Sequence, residues 1–397
     1  MRQNAYAVQG HHQTDPCRGI KMEQKIITAR GCYIEFDQWV RDNGCKKLLM
    51  VCDDSLKFMD NFNSHLAQLE KNGLKIIRFS DFQPNPLYES VVEGVKLLRA
   101  EGCDSIMAVG GGSAMDVAKC IKLYSNMEGN GIDGSYLKQE KIPDFIPFIA
   151  MPTTAGTGSE ATRYAVIYYN DAKQSVTSES FIPGTVLMDP NALKTLPLYQ
   201  KKATMMDALC HAVESFWSLN STEESKKYSK AAIEGVLANM EGYLNNTESG
   251  NAGMLLSAHT AGKAINITQT TAGHAMCYKI TSLFRVAHGH AAVLCDRVLF
   301  PWMIKNTDKC IDSRGEKYLK ETFQQIASAM GCDTPETAAR KLNDIFSSLE
   351  FKVPAATAEQ FEILKNSVNP VRLKNHPVAL DVSTIDALYH EILNGEA

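Results

Sequence analysis

The stretch SIMAVGGGSAMDVAK, Ser105 to Lys119, passes from a short apolar run through three glycines into a segment with helical spacing. An apolar run of that length stopped by glycine reads as a buried strand, and the small-residue segment after it as a helix. A strand that enters a helix through a tight turn is the building unit of a parallel sheet. Outward from it the same alternation recurs: KKLLMVCD, LKIIRFSD and FIPFIAMPTT are apolar runs, with HLAQLEKNG and SVVEGVKLLRAEG as helical segments between them. After VLMDPNAL the strand-like runs nearly stop, and helical periodicity continues through YSKAAIEGVLANMEGYL, AGMLLSAHTAGKAINI, EKYLKETFQQIASAMG and STIDALYHEIL. The expected fold is an α/β domain over residues 22–190 followed by an all-α domain over 191–397. A chain of 397 residues exceeds what one core usually covers, which agrees with two domains. Residues 1–21 lack this periodicity, and Met22 opens MEQKIITARGCYIEF, so 1–21 are expected to be an extension outside the fold.

Composition narrows the function classes. Hydrophobic residues make up 44% and charged residues 22%, as in an ordinary globular protein, and the net charge of −4 comes with no long basic run. A nucleic-acid surface built on phosphate neutralisation is therefore not expected. The 11 cysteines are odd in number and include no C-x-x-C pair, which points away from a disulfide framework and towards the cytoplasm. No apolar run has the roughly 18 residues of a membrane span, and the start carries polar QGHHQTDPCRG where a signal peptide would be apolar.

Several motifs carry chemistry. Gly110, Gly111 and Gly112 between strand and helix allow a phosphate to approach the backbone, while free N–H groups and the helix dipole supply positive potential; a ligand-free turn would read alike, but Ser113, Asp116 and Lys119 follow at fixed offsets. MPTTAGTGSEAT, Met151 to Thr162, is a hydroxyl- and glycine-rich run suited to a polar cofactor, or to a plain turn. Asp53 follows a strand, where a carboxylate can accept from a ribose 2′-hydroxyl or cap a helix. In DALCHAVES, Asp207 and His211 are four apart on one helix face; alone they would read as a buried or solvated pair. Further on, His274, His288 and His290 collect in an apolar setting, and three imidazoles with one carboxylate suit a borderline divalent cation.

At this point the chain resembles the iron-dependent (group III) alcohol dehydrogenases, over essentially Met22 to Ala397. GGGSAMDVAK is similar to that family's pyrophosphate loop, PTTAGTGSE to its second cofactor segment, and MMDALCHAVES with His274 and HGH at 288–290 to its metal pattern. The resemblance implies a Rossmann-like nucleotide-binding domain followed by a helical metal-binding domain, the dehydroquinate synthase-like fold. It implies Asp207, His211, His274 and His288 as ligands of one divalent metal, Fe²⁺ first with Zn²⁺ or Mn²⁺ as alternatives, and His290 as a residue behind the ligands or in the pocket wall, where it is a further candidate for the substrate anion. It implies that Asp53 contacts the adenosine ribose and favours NAD(H), and that Thr153, Thr154, Thr162 and Lys173 line the cofactor cleft. Where many members carry another histidine, four residues after the third ligand, this chain has Tyr278, so Tyr278, a water or the cofactor ribose must handle the proton.

AINITQTTAGHAMCYKITSLFRVAHGHAAVLC, GSEATRYAVIYY and RLKNHP resemble the phosphonoacetaldehyde reductase branch of that family. Arg163, Lys279 and Arg285 lie near the cofactor and metal segments, and a guanidinium suits a phosphonate or sulfonate, although each could equally form an ordinary salt bridge. The expected reaction is NADH-linked reduction of phosphonoacetaldehyde to 2-hydroxyethylphosphonate. Alternatives are sulfoacetaldehyde reduction, a short-chain alcohol or diol dehydrogenase, a lyase of the related fold, and a non-catalytic NAD- and metal-binding sensor. A homodimer or a multiple of it is expected, with no nucleic-acid or membrane partner.

Overall fold

The computed structural model describes residues 24–142, 145–368 and 373–395. The expected 1–21 extension lies outside the described residues.

The first half builds a six-stranded parallel sheet in the order β1-β8-β5-β4-β2-β3. Its elements are β1 (Lys25–Thr28), α1 (Ile34–Asp42), β2 (Lys47–Cys52), α2 (Asp60–Lys71), β3 (Lys75–Phe79), α3 (Tyr88–Glu101), β4 (Ser105–Gly110), α4 (Gly112–Ser125), the short α5 (Ser135–Lys138), β5 (Phe148–Pro152), β6 (Tyr164–Tyr169), β7 (Ala172–Thr177) and β8 (Thr185–Met188). The central strands β4 and β5 are buried at every position, which explains why they read as continuous apolar runs without alternation. Each sheet face carries its own core: Leu49, Val51 and Ala108 pack under α3 and α4, while Leu48, Met50 and Val109 pack under α1 and α2. Both β3 and β4 pair with β2, so the order reverses between β2 and β4, and the crevice beyond their carboxyl ends is where open α/β sheets bind ligands.

β6 and β7 form an antiparallel hairpin apart from this sheet, in register from Tyr164↔Thr177 to Tyr169↔Ala172. Its two-residue turn, Asn170 and Asp171, has φ of 50° and 58°, the positive values that tight hairpin turns require and Asn and Asp tolerate.

The second half is helical: α6 (Leu198–Trp217), α7 (Glu223–Leu244), α8 (Glu248–Thr268), α9 (Ala272–Phe284), α10 (His288–Lys305), α11 (Glu316–Ala329), α12 (Pro335–Ser348), α13 (Ala358–Asn366) and α14 (Val382–Ile392). It departs from the all-α expectation at one place, where β9 (Ala355–Ala356) and β10 (Asn394–Gly395) pair in parallel. Two residues per strand are too few to leave a period in sequence. α6 sits at the centre and is buried on nearly every face, from Ala203 through Trp217. A helix enclosed in this way can carry polar side chains only if they have something to bind. No helix among the described residues is long and apolar enough to cross a membrane.

Candidate active site

The glycine turn comes first. Gly110 has φ 155°, and a Cβ there would lie 2.4 Å from Asp53 Oδ2, so a side chain would collide with the group that shapes the turn. Asp53 Oδ2 accepts from the Gly111 N–H at 3.0 Å, and Oδ1 accepts from the backbone N–H and hydroxyl of Ser55 at 2.9 and 2.5 Å. Asp53 is thus the cap of the short 3₁₀ turn after β2, as well as a brace across the topological switch. Thr153 joins it, its N–H on Gly110 O at 3.0 Å and its Oγ1 accepting from Ser55 at 3.1 Å; Thr154 packs beside Gly111.

Asp116 and Lys119 turn out to organise the backbone. Lys119 is fully buried, and its ammonium donates to the carbonyls of Ser159, Thr162 and Tyr164 at 2.6, 2.9 and 2.8 Å; burial lowers its pKa to about 8. Asp116 accepts from Ser159 Oγ and from the Val166 N–H, both at 3.0 Å, which fixes the hairpin against α4. Together they hold Ser159–Val166 over the end of the sheet.

The acid-imidazole group lies in the helical half. Asp207, His274 and His288 each offer an atom within 4.8 Å of the others; Asp207 Oδ1 is 3.5 Å from His274 Nε2 and 4.0 Å from His288 Nε2. Donors about 2.1 Å from a shared tetrahedral ion stand roughly 3.4 Å apart, so these atoms fit one. Asp207 Oδ1 and His274 Nε2 are also buried without hydrogen-bond partners. A buried carboxylate and imidazole in that state have room between them for a shared cation. His211 stands beside this trio rather than within it: its Nδ1 is 3.9 Å from Asp207 Oδ2 and its ring stacks on His274 at 4.3 Å. Gly289 permits the close approach, because a Cβ there would come within 2.0 Å of Ala203 O and 2.6 Å of Asp207 Cβ.

Glu214 is the functional candidate that the sequence reading passed over. It is fully buried, bonded to His274 Nδ1, and accepts from the His274 N–H at 2.9 Å and from Thr271 N and Oγ1 at 2.5 and 2.6 Å. A carboxylate on one imidazole nitrogen leaves the other to face a metal. The signal was present: Asp207, His211 and Glu214 follow at i, i+4 and i+7 on α6, one continuous face. Burial works against the Glu214 carboxylate and the His274 imidazolium alike, yet their attraction wins, lowering the acid and raising the base. Burial likewise opposes the charge of Asp207, but the three neighbouring imidazoles hold its carboxyl well below the usual range. Burial takes His211 and His288 down to about 4, which leaves them neutral and able to ligate near neutral pH.

Both groups open on one cavity of ≈ 760 Å³ between the two halves. Gly112, Ser113, Asp116, Thr162 and Lys173 line it from the first half; His211, His274, Tyr278, Arg285 and His288 line it from the second. The hairpin supplies Tyr164, Val166 and Ser175 as well, none of which was a candidate site residue in the sequence. Lys173 Nζ stands 3.4 Å above the Tyr278 ring, and that ring stacks on His288 at 5.3 Å. Other expected residues lie elsewhere. Arg163 is not among the lining residues, since its guanidinium pairs with Glu179 at 2.8 Å and leans on Tyr164. Lys279 is also outside the lining, as is His290, which contacts Tyr199 Oη at 3.1 Å and stacks on Phe351. Of the three cations expected around the substrate, only Arg285 reaches the wall.

A parallel sheet with a braced glycine turn, facing buried metal donors across one cavity, defines a metal- and dinucleotide-dependent oxidoreductase. The family model for iron-containing alcohol dehydrogenases matches residues 23–190, and that for the C-terminal part of the Fe-containing alcohol dehydrogenase family matches 201–391. The chain belongs to the iron-containing alcohol dehydrogenase family. Alcohol dehydrogenase 4 of Schizosaccharomyces pombe is 29% identical over 82% of this chain and 76% of its own length. Phosphonoacetaldehyde reductase of Streptomyces viridochromogenes is 28% identical over 76% of this chain and 80% of its own. The crystal structure of sulfoacetaldehyde reductase from Bifidobacterium kashiwanohense in complex with NAD⁺ superposes with a TM-score of 0.81 at 25% identity, covering 93% of this chain and 96% of that one.

Proposed function

We propose that this enzyme uses NADH to reduce a small aldehyde bearing an anionic head group, with phosphonoacetaldehyde to 2-hydroxyethylphosphonate as the leading reaction. The observation that carries the reading is the shared cavity: Gly112 and Ser113 of the cofactor turn, His274 and His288 of the metal group, and Arg285 line the same space. The relatives named for phosphonoacetaldehyde and sulfoacetaldehyde support an anionic substrate, and sulfoacetaldehyde giving isethionate is the second reading.

Asp207, His211, His274 and His288 would hold a divalent ion, Fe²⁺ first, and such an ion supplies Lewis-acid polarisation of a carbonyl. NADH supplies the hydride. The chain's own residues do the rest. The backbone from Gly110 to Ser113 and the start of α4 receive the pyrophosphate, with Asp53, Thr153 and Thr154 holding that turn in shape. Thr162 and Lys173 line the cofactor side. Glu214 fixes the tautomer and orientation of His274, and Tyr278 holds a phenolic proton at Oη in the cavity wall, where many relatives of the family would place an imidazole. The odd cysteine complement fits a reducing cytoplasm, and we take the working form to be a homodimer or a multiple of it.

The test is NADH consumption by metal-loaded enzyme with phosphonoacetaldehyde, sulfoacetaldehyde and propionaldehyde side by side. A kcat/KM at least about tenfold higher for phosphonoacetaldehyde, about 1.4 kcal/mol of transition-state discrimination, supports the reading. A sulfoacetaldehyde preference favours the second reading, and equal or better use of propionaldehyde overturns both.

A further inference from the structure

Two residues of the cavity wall hold backbone conformations that side chains rarely adopt. Gln269 follows α8 at φ 59°, ψ 175°, a region that belongs essentially to glycine. Arg285 ends α9 at φ 53°, ψ 31°, the left-handed position where helices usually place glycine. Glycine would reverse the chain at either point without steric cost, so the turns themselves do not call for these side chains. Both residues line the cavity.

The surroundings hold the Gln269 turn from several directions. Its N–H donates to Ile265 O at 2.8 Å, its carbonyl accepts from Thr268 Oγ1 at 2.9 Å, and its Oε1 accepts from Asn375 Nδ2 at 3.1 Å. The same Asn375 amide donates to Thr270 O at 3.3 Å. Asn375 is fixed in turn, since its Oδ1 accepts from Asn220 at 3.0 Å and its backbone carbonyl from Leu219 at 2.9 Å. Asn375 thus has a physical role as a buttress behind the α8–α9 turn.

In front of that buttress, the hydroxyls of Thr270 and Thr281 are buried with no hydrogen-bond partner, and both residues belong to the cavity wall. Buried hydroxyls left unpaired are costly, and a ligand that accepts from them removes the cost. Arg285 has neither an ion pair nor a hydrogen bond among the described residues. His274, Tyr278, Thr281 and Arg285 follow at i, i+4, i+7 and i+11, and all four line the cavity, so these donors extend the face of α9 that begins with a metal ligand.

We propose that Thr270, Thr281 and Arg285 form an oxyanion subsite for the substrate head group, with Gln269 shaping its floor and Asn375 acting as a positioning residue. The ligand class is a tetrahedral oxyanion, phosphonate or sulfonate. A guanidinium offers such a group two parallel N–H donors and each hydroxyl offers one more. The inference rests on the anionic-aldehyde reading and assigns the residues that make it selective.

The experiment takes metal-loaded wild type, Gln269→Gly, Arg285→Gly and Asn375→Ala. Both glycine variants suit the backbone better than the residues they replace, so thermal melting should show them folded. The ratio of kcat/KM for phosphonoacetaldehyde to that for propionaldehyde should fall at least about tenfold in each, mainly through KM, with Asn375→Ala moving KM more than kcat. In parallel, methylphosphonate and methanesulfonate are tested as inhibitors competitive with propionaldehyde. Inhibition by either, weakened at least about tenfold in both glycine variants, supports the subsite and identifies which oxyanion it prefers. Ratios and inhibition within about twofold of wild type in both glycine variants overturn it, as does absence of inhibition by either compound in wild type. A wild type that binds these anions through Arg285 yet prefers propionaldehyde would overturn the substrate reading while leaving the subsite in place.

Discussion

Glu214 never touches the cavity, yet it governs a residue that does. Its carboxylate spans three donors on the α9 start and the ring of His274. Glu214→Gln keeps the shape but weakens the grip on Nδ1, and outer-shell changes of this kind cost about 10- to 100-fold in metal affinity. Metal retained after dialysis against a graded chelator series checks this; unchanged retention would make Glu214 purely structural. Asp207→Ala is more severe, and the expected outcome is loss of both bound metal and turnover. The clustering of Asp207, His274 and His288 was legible because imidazoles rarely gather in apolar sequence, whereas Glu214 was not, because a glutamate in a helix is ordinary until its burial is known. The substrate cations were the hardest to place. Arg163 and Arg285 look alike in sequence, and only the presence of Glu179 beside one of them separates a salt bridge from a free guanidinium.

At the scale of elements, the α6–α10 contact decides whether a metal site exists. Gly289→Ala would drive a methyl into Ala203 O and Asp207 Cβ, pushing α10 and His288 away from α6. Overpacking of this sort costs about 1–3 kcal/mol, and the expected result is a lower melting temperature together with weakened metal binding; a variant with full metal content would show that α10 tolerates the shift. The strand-turn-helix units of the sheet were legible from their apolar runs and glycines. The β6–β7 hairpin was not, although Asn170-Asp171 marks its turn, because that turn lacks a glycine and YAVIYY shows no apolar-polar alternation. That omission mattered, since the hairpin carries Lys173 to the Tyr278 ring.

The whole molecule carries a pH dependence set by its core. His376 is 1% exposed and neither ring nitrogen has a hydrogen-bond partner, so burial draws its pKa down to about 3, with only Glu214 opposing. Between about pH 6.5, the ordinary histidine value, and about 3 the unfolded chain binds a proton that the folded chain refuses. Stability therefore falls as pH drops through that window, by on the order of 1 kcal/mol per pH unit for one such group. His376→Gln should flatten the acid side of a melting-temperature profile; an unchanged slope would place the acid sensitivity elsewhere. The passage from sheet to helices was readable at this scale from the change in periodicity near residue 190, but the cavity was not, because it is assembled from segments distant in sequence.

The edge of the sheet has a consequence in time. β1 pairs only with β8, Lys25 opposite Thr185, so the first strand made waits 160 residues for its partner. A ribosome adding about 5–20 residues per second takes roughly 8–30 s to supply it. Throughout that interval the nascent chain must keep the unpaired edge of β1 from joining neighbours on the same message, and for its last part the open side of β5 as well, a burden on chaperones that the finished enzyme no longer shows.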